Sequence, residues 1–433
     1  MAFPRLPGLE PGRLRAGYYS DAYFLNAARA LRSVALARET FPAAGPALRH
    51  ADGSIRARHR PGDAEVEMQF FARRRPRFVA AGIRLALRIL ADGALGLAAR
   101  RGAGRLLSAR AVPEGSLVRP GEPALLIRAR YRDIAHLETP LLGVLTRASR
   151  IATNVYEALV AARGKPVLFF PARFDLPFTQ PLDGHAYRLA IEVYERRTGR
   201  HVSPYISTEA QGSLWGGHGT GTLPHAFILC FLGDTAAAML SFCRHVPPEV
   251  RRVALVDTMN DCVGESVRTA RRLFEEHLRC LRAGRPGEAE RYRLFAVRAD
   301  TAENLRDRST PRTSDRRLER GVTPVLIRLI REELDRQPAA LRLESRWRRA
   351  AEGYFRGIRI VATGGFDPAR IGFFERSRAP VDIYGIGSSF LRGPACDFTA
   401  DVVRVKVGGR YRVAAKTGRG PRANPLLRPV MLP

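Results

Sequence analysis

Pro166-Val167-Leu168-Phe169-Phe170 is an apolar run with no polar residue alternating into it. A strand with one wet face alternates. An unbroken run fits a strand buried on both faces, as in a parallel sheet covered by helices. The same unit recurs downstream. Residues 252–256 read as a strand ending in Asp257-Thr258-Met259-Asn260-Asp261, and residues 294–297 as one ending in Arg298-Ala299-Asp300. Residues 358–362 lead into Thr363-Gly364-Gly365, and residues 381–383 into Gly385-Ile386-Gly387-Ser388. Helical spacing fills the gaps: Val263, Val267, Ala270, Phe274 and Leu281, then Leu326, Leu329, Ile330 and Leu334 behind Thr323-Pro324. Strands alternating with helices imply a parallel sheet. Polar residues gathered past the strands' C-terminal ends put the site there, in a β/α barrel or in an open doubly wound sheet alike.

Upstream the pattern is different. Residues 1–17 read as an extended lead-in. Ser20-Asp21 offers an N-cap for a helix to about residue 38, with Tyr23 in its first turn. Residues 65–79 read as a strand, 83–107 as a helix, and 117–118 and 124–129 as short strands about Pro120-Gly121. Ile134, Leu137, Leu141, Leu145 and Ala148 mark a helix that continues to Leu159 and stops at Gly164. After Asp397 a hairpin through Gly408-Gly409 should return to the N-terminal part, with 418–433 a loose tail. The expected domains are an N-terminal α+β domain (1–132), a β/α catalytic domain (133–392) and a returning C-terminal segment (393–433).

Composition narrows the class. The chain has 433 residues and a net charge of +30. Only Lys165, Lys406 and Lys416 of its 72 basic residues are lysine. Arginines spread through every segment suggest codon bias more than a nucleic-acid surface, so no specific nucleic-acid partner is expected. The charge should still attract polyanionic small molecules. The five cysteines form no Cys-x-x-Cys pair and read as reduced core thiols. No apolar run reaches bilayer length and the first residues hold no signal core, so the expectation is a cytoplasmic protein without a membrane partner.

The chemistry centres on Gly221-Thr222-Leu223-Pro224-His225-Ala226. Proline favours a first helical turn, which places His225 near a helix start, where a histidine can move a proton or attack phosphorus. A hydrogen-bonded structural histidine is the plainer alternative. Gly364-Gly365 and Gly385/Gly387 follow apolar strands and would let backbone N–H groups approach a phosphate. Asp257 and Asp300 end two strands and suit ribose hydroxyls or Mg2+ held through water; helix caps are the alternative. Arg298 shares a face with Asp300, and Arg173 offers a fork for a carboxylate or phosphate.

In this order the motifs resemble the nicotinate phosphoribosyltransferase family, particularly its short archaeal-like branch. The matching pieces are Ser20-Asp21-Ala22-Tyr23-Phe24, Leu137-Glu138-Thr139-Pro140-Leu141, Ile151-Ala152-Thr153, Phe170-Pro171-Ala172-Arg173, the His225 segment, and the four strand ends from Asp257 to Ser388. The resemblance implies an irregular β/α barrel of the type II phosphoribosyltransferase kind, with an α+β domain built from both chain ends. It implies a homodimer with shared sites, and transfer of phosphoribose from phosphoribosyl pyrophosphate to nicotinate in NAD salvage, with Mg2+ and with ATP acting through a phosphohistidine at His225. Tyr23 would stack on the pyridine ring from the partner subunit, and Phe170 and Arg173 would frame the ring and its carboxylate. Thr222, Arg298 and Asp257 would contact substrate or pyrophosphate, and Asp300 the ribose. Gly364, Gly365, Gly385, Gly387 and Ser388 would hold the 5′-phosphate. No metal ligand is assigned. This sequence departs from the pattern at Ala299, at Thr301-Ala302-Glu303, at Ser388, and in having Phe174 where a second arginine is common. A nicotinamide or quinolinate enzyme on the same fold is the nearer alternative. The nicotinamide enzymes carry an acidic residue by the ring, and residues 203–217 show no clear equivalent. A basic, non-catalytic polyanion-binding protein is the remote one.

Overall fold

The computed structural model describes residues 4–43, 45–48, 58–73, 76–94, 107–221, 223–393 and 396–432. Two six-stranded sheets organise them.

The first sheet is parallel and curled, in the order Arg252–Leu255, Leu294–Ala299, Arg359–Ala362, Ile383–Ile386, Val167–Phe169, Tyr205–Ile206. Its strands are apolar on both faces because helices cover the outside, while Tyr205, Val253, Ala296, Val361 and Ile383 pack against one another inside the curl. The two edge strands do not hydrogen-bond to each other among the described residues. A side chain spans the opening: Arg251 donates to the Tyr205 hydroxyl at 2.7 Å and lies over the Phe295 ring. Thr220 N–H also donates to the Ile206 carbonyl at 2.6 Å, which turns the chain back along that edge toward His225. The fold is therefore a half-barrel of the expected β/α kind.

The second sheet is antiparallel and takes strands from both ends of the chain. Glu65–Ala72 lies between Phe398–Val407 and Leu125–Arg130, with Arg410–Val413, Ser108–Ala111 and Arg428–Val430 outside them. The helix Glu138–Ala161 joins the two halves. It packs Leu141, Leu145 and Ala148 inward, and Thr153 Oγ1 accepts the Val79 N–H at 3.0 Å.

Several local expectations change. Residues 11–16 are a short helix, because Pro11 opens it and Gly17, at φ 73°, closes it in the left-handed region. The expected strand over 65–79 is two strands, Glu65–Ala72 and Phe78–Val79, in different sheets. The helix from Ile83 ends at Gly93, and residues 95–106 of the expected helix lie outside the described residues. Its start is held by Glu114, whose carboxylate accepts the Gly82 and Arg84 N–H groups at 2.6 and 2.8 Å. The expected loose tail contributes Arg428–Val430 to the sheet edge. Helices Gln180–Thr198 and Ser345–Arg356 add to the predicted set. All five cysteines are free, and Cys230, unlike the other four, is exposed.

Candidate active site

The Leu294–Ala299 strand delivers two groups on one side. Arg298 Nη2 meets Asp300 Oδ2 at 2.8 Å. Thr363, just past the neighbouring strand, closes a triangle. Arg298 Nε donates to Thr363 Oγ1 at 3.0 Å, and that hydroxyl donates to Asp300 Oδ1 at 2.6 Å. The guanidinium also lies 5.6 Å from the centre of the Phe170 ring. Its orientation is thus set by hydrogen bonds on one side and an aromatic face on the other.

The glycines do two different jobs. Gly364 and Gly365 have φ of 90° and 66°, where any side chain is strained. They form an open turn directly beyond Thr363. Gly385 is a correction: it lies inside the Ile383–Ile386 strand, not in a turn after it. A Cβ there would come within 2.4 Å of Thr363 Cγ2 and 2.7 Å of Phe170 Cε1, so its missing side chain lets the aromatic wall close on the triangle. Gly387 allows the same approach by Phe174, and Ser388 begins the 3-10 turn Ser388–Phe390. Asn154 pins that turn by donating to the carbonyls of Phe390 and Arg392, both at 2.8 Å.

These pieces surround a cavity of about 570 Å3. Phe170, Arg173, Asp300, Gly364, Gly365, Gly385, Gly387 and Ser388 all line it. The exposed Arg173 sits on a loop tied down by Arg147, which bonds Asp175 at 2.7 Å and grips Asp183 through two nitrogens. Arg298 reaches the cavity through Asp300 and Phe170.

His225 opens the helix His225–Leu229, with Pro224 as the residue before it. Its Nε2 lies 3.1 Å from each carboxylate oxygen of Asp257. Burial pushes the Asp257 carboxyl above its ordinary range; the His225 charge opposes that push and the Asp300 carboxylate adds to it. His225, Asp257 and Asp300 therefore form one electrostatic line leading to the cavity. Neither aspartate is a helix cap. Asp261 caps the helix after Asp257 by accepting the Gly264 N–H at 3.0 Å, and a turn follows Asp300.

Tyr23 lies elsewhere in its own chain. It is 63% exposed, donates to Asp21 at 3.3 Å, and is not part of the cavity wall. Thr222 lies outside the described residues. Glu209, the carboxylate within 203–217, is held by the Gly219 N–H and His218 instead of facing the ring wall. Four site residues were not singled out from sequence: Thr363, Asn154, Arg147 and Glu303. The first two stand inside or beside the quoted motifs, so their position was the available signal.

Residues 52–149 match the family model of the quinolinate phosphoribosyl transferase N-terminal domain. A nicotinate phosphoribosyltransferase of Mycobacterium tuberculosis is 24% identical over 70% of this chain and 53% of its own length. These curated relatives are nicotinate phosphoribosyltransferases, and this chain is similar to them. It spans about half the length of the curated relatives it matches. Among solved structures, the nicotinate-nucleotide pyrophosphorylase of Pyrococcus furiosus aligns with a TM-score of 0.62 at 24% identity, covering 98% of this chain and 91% of that one. The human nicotinic acid phosphoribosyltransferase aligns with a TM-score of 0.55 at 18% identity, covering 91% and 76%. These two likenesses give this chain the type II phosphoribosyltransferase fold.

Proposed function

We propose that the chain transfers phosphoribose from phosphoribosyl pyrophosphate to nicotinate, in the cytoplasm, as a step of NAD salvage. The observation that carries this reading is the Arg298–Asp300–Thr363 triangle against Phe170, beside the open Gly364-Gly365 turn. The turn offers backbone N–H groups to the 5′-phosphate. Phe170 packs the pyridine ring, and Arg173 takes its carboxylate. The ring nitrogen bonds to the anomeric carbon as the bond to pyrophosphate breaks, and the electron pair leaves with pyrophosphate. The Asp300 carboxylate stabilises positive charge growing on the ribose, and Arg298 the negative charge growing on the leaving group.

Among the described residues no three His, Cys, Asp or Glu side chains could hold a metal by themselves. A Mg2+ ion carried by substrate oxygens and water needs only one or two carboxylates. Asp257 and Asp300, close enough that the Asp300 charge helps push the Asp257 carboxyl up, fit that donor set and would hold it. Bound there, the ion would neutralise pyrophosphate charge.

ATP coupling would use His225. With Nε2–H donated to Asp257, the lone pair sits on Nδ1, which makes Nδ1 the phosphoryl acceptor. Tyr23 would serve the site of a second copy in a homodimer. Its exposure, together with that of Tyr18, Leu36 and Phe41 on the same N-terminal segment, supports this.

The test is a product assay with phosphoribosyl pyrophosphate, Mg2+ and each of nicotinate, quinolinate and nicotinamide, with and without ATP. Nicotinate mononucleotide formed faster with ATP is the expected result, with an acid-labile Nδ1-phosphohistidine in the phosphorus NMR spectrum. No product from nicotinate would end the reading. Quinolinate is the second reading, favoured by the family model matched at residues 52–149. Release of carbon dioxide with product would establish it.

A further inference from the structure

A second cavity, of about 550 Å3, lies on the far side of Glu303 and Asp367, which line both. Five arginines face it against those two carboxylates: Arg316, Arg317, Arg320, Arg370 and Arg376. Arginine is abundant in this chain, so number alone says little. Convergence and partnering say more. The five come from two separate helices and the residue after one of them. Arg317 is paired with Asp315 at 2.9 Å, and the Arg320 guanidinium has, among the described residues, only the Asn304 carbonyl, at 2.8 Å. The guanidiniums of Arg316 and Arg376 make no hydrogen bond or ion pair among the described residues. Two exposed guanidiniums without a carboxylate partner on one concavity are free to take an anion.

The cavity also touches the reaction site. Arg370 donates to the Gly364 carbonyl at 2.8 Å and the Val322 carbonyl at 2.9 Å, and pairs with Glu303 at 3.0 Å. Burial disfavours its charge in spite of Glu303. Glu303 in turn lies so close to Gly365 that a Cβ there would overlap its Oε1. An anion in the second cavity would add a further counter-charge for Arg370 and so bear on the turn that faces the first.

We propose that this cavity is a second anion site, built for a polyphosphate group: inorganic pyrophosphate or the triphosphate of a nucleotide. A single phosphate would leave much of the volume and of the positive charge unused. The inference does not depend on which base the enzyme accepts.

Titration calorimetry of the full chain with pyrophosphate, in 150 mM salt by choice (about the ionic strength at which exposed charges are well screened), tests it. Two classes of site are expected in the wild type. Arg316→Ala with Arg376→Ala should weaken one class at least tenfold and leave the other, and Arg376→Glu alone should do the same. ATP binding the lost class tenfold more tightly than pyrophosphate would assign it to a nucleotide; equal affinities would assign it to polyphosphate itself. A single class in the wild type, or two classes unchanged in both variants, would overturn the proposal. So would displacement by an equal concentration of sulfate, since that describes a non-selective basic surface.

Discussion

Each of the two sheets carries an arginine–carboxylate pair, and the pairs are used in opposite ways. In the antiparallel sheet Glu67 is 1% exposed, bonded by Arg128 at 2.7 Å and clamped from the other side by Arg404. Arg128 also stacks on Tyr411. These groups lie within paired strands, with a neighbouring strand on each side of Glu67. In the parallel sheet Arg298 and Asp300 lie at a strand end, 16% and 21% exposed, with a cavity in front of them. There the backbone turns away and no further strand covers the pair. The same chemistry holds the fold in one place and faces an open cavity in the other, and its place along the strand decides which.

The sharpest way to break this comparison is to delete one member of each pair. Arg298→Ala should lower kcat/KM by about a thousandfold, on the order of losing one charge-stabilising donor, with the melting temperature nearly unchanged. Glu67→Ala should do the reverse. Removing the buried carboxylate leaves two half-exposed guanidiniums without their shared acceptor and costs about 1–3 kcal/mol, while the folded fraction keeps its activity. Steady-state kinetics and urea unfolding on both variants read the outcome. Activity lost in Glu67→Ala without loss of stability would erase the distinction.

A smaller effect tests the wall behind the triangle. Gly385→Ala puts a methyl group against Thr363 and Phe170. Overpacking of this kind costs about 1–3 kcal/mol. The displaced ring should raise KM for the base more than it lowers kcat. A turn glycine that merely offered its N–H would tolerate alanine, and an unchanged KM would restore that role.

The strand ends were legible because burial on both faces leaves an apolar run whose polar termination stands out. Asp257, Arg298 and Asp300 were found that way, and His225 from the proline before its helix; the structure bonds His225 to Asp257 and Arg298 to Asp300. Gly385 was misplaced because Gly-Ile-Gly reads as a turn, while the close approach that requires it is a tertiary fact. Asn154 was passed over because a polar residue inside a helix reads as solvent-facing; here it holds a turn 236 residues away. Glu67 looked like the wet side of an alternating strand. Its two partners lie 61 and 337 residues distant, beyond any local pattern. The C-terminal strand is three residues long and includes Pro429, too little for a periodicity to show.

The smallest effect concerns a carboxylate in the antiparallel half that no arginine claims among the described residues. Glu138 opens the helix Glu138–Ala161 and shares a small cavity with Tyr131, Asp401 and Lys416. Its pKa is pushed up to about 7, first by burial and then by the charges of Asp401 and Asp21. The native state therefore holds this proton between the ordinary value of 4.5 and about 7, where the unfolded chain has lost it. Stability contributed by the protonated form is fully present below 4.5 and is lost as pH rises toward 7 and above. The full interval corresponds to roughly 3 kcal/mol, and partial exposure with Lys416 nearby reduces it to about 1 kcal/mol. Wild-type protein should thus unfold at lower urea at pH 8 than at pH 5, and Glu138→Gln should remove about that much of the difference. Equal losses in both proteins would move the titrating group elsewhere. Catalysis should be indifferent to Glu138→Gln in the chain that carries it, unless Tyr23, which stands beside this cluster, works in the site of a second copy. A KM that rises with Glu138→Gln while the melting curve stays put would be evidence for that crossing.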